Sequence, residues 1–200
     1  MTGDEAPVGA IVLAAGASSR MGAAKQLFDV DGRSLVRRAA EAACDAGCAP
    51  VVVVVGAQAE RVRAALDGLG VAIAFNPGWR EGIASSLRCG VEALPEGVSA
   101  AIVLLCDQPA VSPGLLESLI RRRRESGRPI VACRYGSVTG VPALFARELF
   151  PQLLALEGDA GARGLLARAG DEVESVGFPD GAFDLDTPED WARWRARERV

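Results

Sequence analysis

Two hundred residues, half of them hydrophobic, are enough to bury a substantial core in one domain. No apolar stretch approaches the ~18 residues of a membrane span, and no charged segment leads into an apolar one as in a signal peptide, so the expectation is a cytoplasmic chain with no membrane partner. A net charge of −4 argues against a general nucleic-acid binder. The absence of histidine excludes Ser-His-Asp hydrolysis, Cys-His proteolysis and imidazole acid–base catalysis.

Short β-branched runs alternate with amphipathic helical windows. In chain order the pattern predicts a strand at 8–14, a helix at 34–46, a strand at 50–55 and a helix at 58–67. A strand at 71–75, a helix at 82–94, a strand at 100–105, a helix at 112–125 and a strand at 129–133 follow. Helices at 146–156 and 160–169, a weaker strand at 172–177 and a helix at 187–199 close the chain. This alternation predicts an α/β fold, three layers α/β/α around a mostly parallel sheet. The five valines 51–55 show no alternation, as a strand buried on both faces requires. Ser112 before Pro113, and Thr187 before Pro188-Glu189-Asp190, read as helix N-caps, while Gly47, Gly68, Gly127 and Gly170 read as helix stops. The arginine run 121–124 falls at the end of a helix, where the dipole favours cations, and reads as solvated surface. Five cysteines with no Cys-x-x-Cys pair read as reduced thiols in the core. One domain is expected, with 7–107 as a nucleotide-binding half and 108–200 shaping an acceptor site.

Of the 22 lysines and arginines only one, Lys25, is lysine. It ends the glycine-containing segment Leu-Ala-Ala-Gly-Ala-Ser-Ser-Arg-Met-Gly-Ala-Ala-Lys at 13–25, directly after the first strand. Backbone N–H groups of such a loop can cradle phosphate oxygens, and a compact ammonium suits a polyphosphate. The spacing is not that of a P-loop, because five residues separate Gly16 from Gly22, and no G-x-G-x-x-G is present. Asp107 follows an apolar strand, at the carboxyl-end crevice where α/β sheets bind ligands. A carboxylate there needs a cation, which Mg²⁺ bridging triphosphate oxygens would supply. Gly82, Ser85 and Ser86 open a helix whose N–H groups and hydroxyls could bond a ribose or base, and the Asn76 amide could read a base edge or serve the Asn-Pro-Gly turn itself. Asp184 and Asp186 share a face if their segment is extended. Asp159 reads as the N-cap of the helix after it.

The segment 13–25 resembles the nucleotidyltransferase signature L-x-[AG]-G-x-[SG]-x-R-M-G-x-x-K, matched at Leu13, Ala14, Ala15, Gly16, Ser18, Arg20, Met21, Gly22 and Lys25. Within that group it resembles the molybdenum cofactor cytidylyltransferases, which share the Leu-Ala-Ala-Gly entrance. Further blocks agree in order: Asn76-Pro77-Gly78-Trp79-Arg80-Glu81-Gly82, Cys106-Asp107-Gln108-Pro109, Gly158-Asp159-Ala160-Gly161-Ala162-Arg163, and the segment 184–190. The resemblance implies a nucleotide-diphospho-sugar transferase (glycosyltransferase-A-like) fold. It implies transfer of CMP from CTP to the phosphate of a molybdopterin-type acceptor, with a molybdoenzyme as client. Lys25 and Arg20 would hold the triphosphate, Asp107 would act with them, and Asp107 and Asp186, or Asp184 in its place, would bind Mg²⁺. Asn76, Gly82, Ser85 and Ser86 would line the nucleotide pocket, and Asp159 and Arg163 the acceptor side. One departure stands out: the family's Gly-x-Pro element commonly carries histidine, where this chain has Val141. A sibling enzyme using GTP or another acceptor, such as a phosphosugar or phospholactate, stays open, as does a non-catalytic cofactor carrier.

Overall fold

The computed structural model describes residues 6–18, 23–185 and 187–197. The first strand, β1 (Val8–Ala14), leads to a small hairpin, β2 (Asp29–Val30) and β3 (Arg33–Ser34), and to α1 (Leu35–Asp45). Next come β4 (Val51–Val55), α2 (Ala59–Ala65), β5 (Ala72–Phe75), α3 (Ile83–Glu92), β6 (Ala100–Leu105) and α4 (Pro113–Ser126). The chain then forms β7 (Ile130–Tyr135), β8 (Val138–Ala146), α5 (Phe150–Leu154), α6 (Ala162–Ala169), β9 (Val173–Gly177) and α7 (Pro188–Arg197). Seven strands make one sheet in the order β5-β4-β1-β6-β8-β7-β9, in which β8 runs antiparallel to both neighbours and the other pairings are parallel.

Successive side chains of a strand point to opposite faces, so each central strand feeds two cores. Ala10, Val12, Val53 and Leu104 pack with α1, α2 and α4 on one face, and Ile11, Val52, Val54 and Val103 pack with α3, α5 and α6 on the other. All five valines of β4 are buried, each contributing about 1.5–3 kcal/mol by its removal from water. Gly90 brings α3 down onto the sheet, since a Cβ there would collide with the Ile11 side chain. The expected start and stop signals operate. The Ser112 hydroxyl accepts from the Leu115 N–H, the Thr187 hydroxyl from the Asp190 N–H, and the four glycine stops all have positive φ. No helix among the described residues is long and apolar enough to cross a membrane.

Three local expectations need correction. Strand β8 is absent from the sequence reading because Gly140 and Pro142 interrupt its pattern. The register between β7 and β8 slips so that Ala132 faces Ala143 while Cys133 faces Gly140. Val141 and Pro142 occupy that bulge, where the missing proline N–H breaks no ladder bond. The helix expected at 146–156 is shorter: Ala146 ends β8, Arg147–Leu149 is a 3-10 turn, and α5 starts at Phe150 with Pro151 in its first turn. The β2–β3 hairpin was also not foreseen. Its tip is Asp31-Gly32, both at positive φ, the pair a two-residue I′ turn demands. It carries a third cluster in which Val30, Leu35 and Leu185 pack with Phe28, Trp191 and Trp194.

Candidate active site

The parallel pairing of β1 with β6 brings Leu13 opposite Leu105. The chain segments leaving these two strands, 15–18 and 106–108, therefore emerge side by side at the carboxyl edge. There they border a cleft of about 550 Å³, whose walls include Gly16, Ser18, Lys25, Asp107, Trp79 and Gly82. Lys25 and Asp107, 82 residues apart, meet in it: Lys25 Nζ lies 2.5 Å from Asp107 Oδ2. Their side chains are only 18% and 13% exposed, so each charge depends on its neighbours more than on water. The other carboxylate oxygen, Asp107 Oδ1, is buried without a hydrogen-bond partner among the described residues.

That orphaned oxygen is the test of a metal. Mg²⁺ uses one or two protein carboxylates and fills its remaining positions with water and phosphate oxygens, so Asp107 fits such an ion. The described residues hold no group of three or more candidate metal-binding side chains, and a site of this kind needs none. Arg20 and Asp186, like Met21 and Gly22 of the signature, lie outside the described residues. Asp184 lies elsewhere, in the second pocket described below.

Gln26 does what the sequence reading did not anticipate. Only 2% exposed, it donates through Nε2 to the carbonyls of Ala14 at 3.2 Å and Gly16 at 2.5 Å. It also accepts the Ser18 hydroxyl at 3.0 Å. That hydroxyl accepts in turn from the Lys25 N–H, which holds Ser18 in the left-handed region, φ 54. One buried amide thus fixes both ends of the segment 14–18. The available signal was a lone polar residue between Lys25 and the apolar Leu27.

On the wall that leads into α3, Asn76 is buried and fully engaged. Its Nδ2 donates to Ser85 and Ser86 Oγ at 2.9 and 3.0 Å, and its Oδ1 accepts from the Gly78 N–H. Of the two roles the sequence leaves open to it, these bonds give it the bracing of the turn. Ser85 Oγ is spent on the carbonyls of Gly78 and Gly82, and of the two serines only Ser86 borders the cleft. The Ala84 N–H at the start of α3 is taken by the Gly158 carbonyl. Gly82, at φ 104, is held so close to Gly158 that no Cβ fits. Asp159 does not cap α6, whose N-cap is Gly161 with no side-chain bond. The turn before α6 folds back over α3, and Asp159 lines the cleft instead.

A second pocket of about 260 Å³ adjoins the first, sharing Leu13, Ile83, Leu105 and Asp159 with it. The registered pairing of β8 with β6 stops at Ala143, so the bulge at Val141 and Pro142 opens the sheet here. Tyr135, Gly140, Val141, Arg163 and Asp184 line it. The Tyr135 hydroxyl lies directly over Gly140, leaving no room for a Cβ. Burial pushes the Tyr135 phenol pKa up and the nearby Asp184 adds to this, against a hydrogen bond from Arg163. Burial likewise pushes the Cys106 thiol to about 12, with the Asp107 charge adding to it, so Cys106 is no nucleophile at neutral pH.

The architecture is of the nucleotide-diphospho-sugar transferase type and superposes on Rv0371c from Mycobacterium tuberculosis with a TM-score of 0.82 at 29% identity, covering 94% of this chain and 97% of that one. The same mycobacterial protein has been solved in complex with manganese, with a TM-score of 0.77. In sequence, the chain is 38% identical over 126 residues to the bifunctional protein GlmU of Pelobacter propionicus, a match covering 62% of this chain and 27% of GlmU. It is 34% identical over 196 residues to nicotine blue oxidoreductase of Paenarthrobacter nicotinovorans, covering 92% of this chain and 94% of that enzyme. Residues 10–173 match the MobA-like NTP transferase domain, and the chain belongs to that nucleotidyltransferase family.

Proposed function

We propose that the protein transfers CMP from CTP to the phosphate of a molybdenum–pterin cofactor, with release of pyrophosphate and dependence on Mg²⁺. The observation that carries this reading is the meeting of Lys25 and Asp107 in one cleft beneath the loop at 15–18. On binding of the triphosphate, Lys25 exchanges Asp107 for phosphate oxygens, which Arg20 would also hold. Asp107, together with Asp186, would then hold the divalent ion. Bound there, Mg²⁺ would neutralise charge on the triphosphate, and the manganese complex of the mycobacterial relative supports a divalent site.

An acceptor phosphate oxygen attacks the α-phosphorus. A new P–O bond forms, the α–β anhydride bond breaks, and pyrophosphate leaves with its electron pair. A phosphate monoester is already mostly dianionic at neutral pH, its second pKa being ~6, so a chain without histidine needs no general base. Its residues contribute by positioning and by charge neutralisation. Residues 7–107 hold the nucleotide and 108–200 shape the acceptor site, where Arg163 and Asp159 meet the acceptor. Pyrophosphate release, followed with each of the four nucleotides with and without the pterin, tests the reading. No release under any combination sinks it.

A second reading draws on the full-length likeness to nicotine blue oxidoreductase: redox chemistry in the same groove. It predicts decolourisation of nicotine blue with a hydride donor supplied and no nucleoside triphosphate present, which a transferase does not catalyse.

A further inference from the structure

The cleft contains a second cation held in a different way from Lys25. Arg80 borders it together with Trp79, and its guanidinium carbon lies 4.2 Å from the centroid of the Trp79 ring. Among the described residues no carboxylate forms an ion pair with Arg80, whereas Lys25 is matched by Asp107. Trp79 is half-buried against the core cluster on that face, and its Cβ packs on Gly56 so closely that an added Cβ there would approach it to 2.8 Å. An indole face fixes the plane of a guanidinium without using its N–H groups, so the donors of Arg80 stay available for a ligand.

A guanidinium offers five N–H donors in a planar fork and has no acceptor. It therefore selects ligand edges that present two neighbouring acceptors. If the phosphates occupy the end with Lys25 and Ser18, what reaches the turn carrying Trp79 and Arg80 is the nucleoside. Among the bases, cytosine offers O2 beside N3, and guanine offers O6 beside N7. Uracil places an N–H between its two carbonyls, and adenine puts an amino group beside N7.

We infer that Arg80, oriented by Trp79, reads the nucleobase through two adjacent ring acceptors and rejects bases that present an N–H there. This rests on the nucleotidyltransferase reading and adds the residue that selects among nucleotides. A bidentate contact of this kind discriminates roughly 10- to 100-fold.

Titration calorimetry of CTP, GTP, UTP and ATP with Mg²⁺ on the full chain, and on Arg80→Gln and Arg80→Lys, tests it. In the parent, CTP or GTP binds roughly 10- to 100-fold more tightly than UTP and ATP, and the preferred arm identifies the base as cytosine or guanine. Glutamine presents both a donor and an acceptor, and lysine keeps the charge without the fork. Both variants should bring the four affinities to within roughly threefold of one another, mainly by weakening the preferred nucleotide. Arg80 is exposed, so both variants should melt with the parent. Equal weakening of all four nucleotides would mean a phosphate contact and overturn the inference, as would unchanged ratios. A parent that binds all four alike overturns the base reading alone. A parent that binds none removes the nucleotidyltransferase reading as well.

Discussion

At one end of the groove the polar groups come from the segments that follow two adjacent parallel strands and are tied to one another: Lys25 to Asp107, Gln26 to the carbonyls of residues 14 and 16. At the other end Tyr135, Arg163 and Asp184 come from β7, α6 and the segment before α7, and they surround a bulge where strand pairing has lapsed. The first end is built of mutually dependent buried charges, so removing one strands another. The second is built of a half-buried tyrosine and two exposed charges around an apolar floor, where a single loss is locally absorbed. Mutational effects should therefore be large at the first end and confined to one substrate at the second.

The largest effect is expected for Lys25→Ala. Loss of the ammonium should lower transfer by roughly 10³-fold or more. It also leaves Asp107 without its ion-pair partner, a change worth about 3–5 kcal/mol in a fully buried pair and less here, where the side chains keep 18% and 13% exposure. Urea melts of Lys25→Met, and of Lys25→Met combined with Asp107→Asn, separate the two consequences. The double variant should regain stability and remain inactive. If both single and double variants turn over CTP at the parental rate, the Lys25 end is not the site.

Asp107→Asn keeps the shape and removes the charge. Activity should fall by roughly 10²- to 10³-fold, and the remaining rate should respond far more weakly to Mg²⁺ or Mn²⁺. A metal titration superimposable on the parent's would remove Asp107 from the metal.

Gln26→Leu is expected to act at one remove. The Ala14 and Gly16 carbonyls and the Ser18 hydroxyl lose a shared partner, each bond being worth about 0.5–1.5 kcal/mol. Because these groups shape the loop, KM for the nucleotide should rise roughly tenfold with a smaller change in kcat. An unaltered KM would show that the loop keeps its form without Gln26.

The same contrast governs what could be read from the chain. The first end was legible because its pieces obey local rules: an apolar strand, a small-residue loop, a lysine at fixed spacing, an aspartate after the next buried strand. Each implies its position within a parallel sheet before any long-range contact is known. Gln26 was passed over because its task depends on which carbonyls converge above it. Asn76 and Ser85 were placed in the nucleotide pocket, since exposure cannot be seen in a polar turn sequence, and they brace that turn from within. The second end was harder because β8 carries Gly140 and Pro142, residues that argue against a strand until the bulge accommodating them is seen.

Gly140→Ala tests whether the second end behaves as described. A methyl group there must displace the Tyr135 hydroxyl and shift it relative to Arg163 and Asp184, which line the same pocket. KM for the acceptor should rise roughly tenfold, with nucleotide KM and metal dependence unchanged. A parallel rise in nucleotide KM would mean that the two ends are not separable.

The smallest effect is invisible at neutral pH. Cys48, Cys106 and Cys133 have their pKa values pushed by burial from the ordinary 9.0 to about 12. Between those values the unfolded chain loses thiol protons that the folded chain keeps, so the unfolded state binds fewer protons and stability falls as pH rises. The contribution is fully present below about pH 9 and is lost toward pH 12, at a slope of up to about 1.4 kcal/mol per pH unit for each thiol. Urea unfolding at pH 8, 9.5 and 10.5 should show this decline, and Cys48→Ala with Cys133→Ala should flatten it. Cys106 distinguishes the two ends of the groove: the Asp107 charge raises it while Lys25 lowers it. Removing Lys25 should therefore push the Cys106 thiol further up and carry the loss that Cys106 contributes to higher pH, leaving that of Cys133 untouched. A decline equally steep in the double cysteine variant and the parent would refute the assignment to thiols.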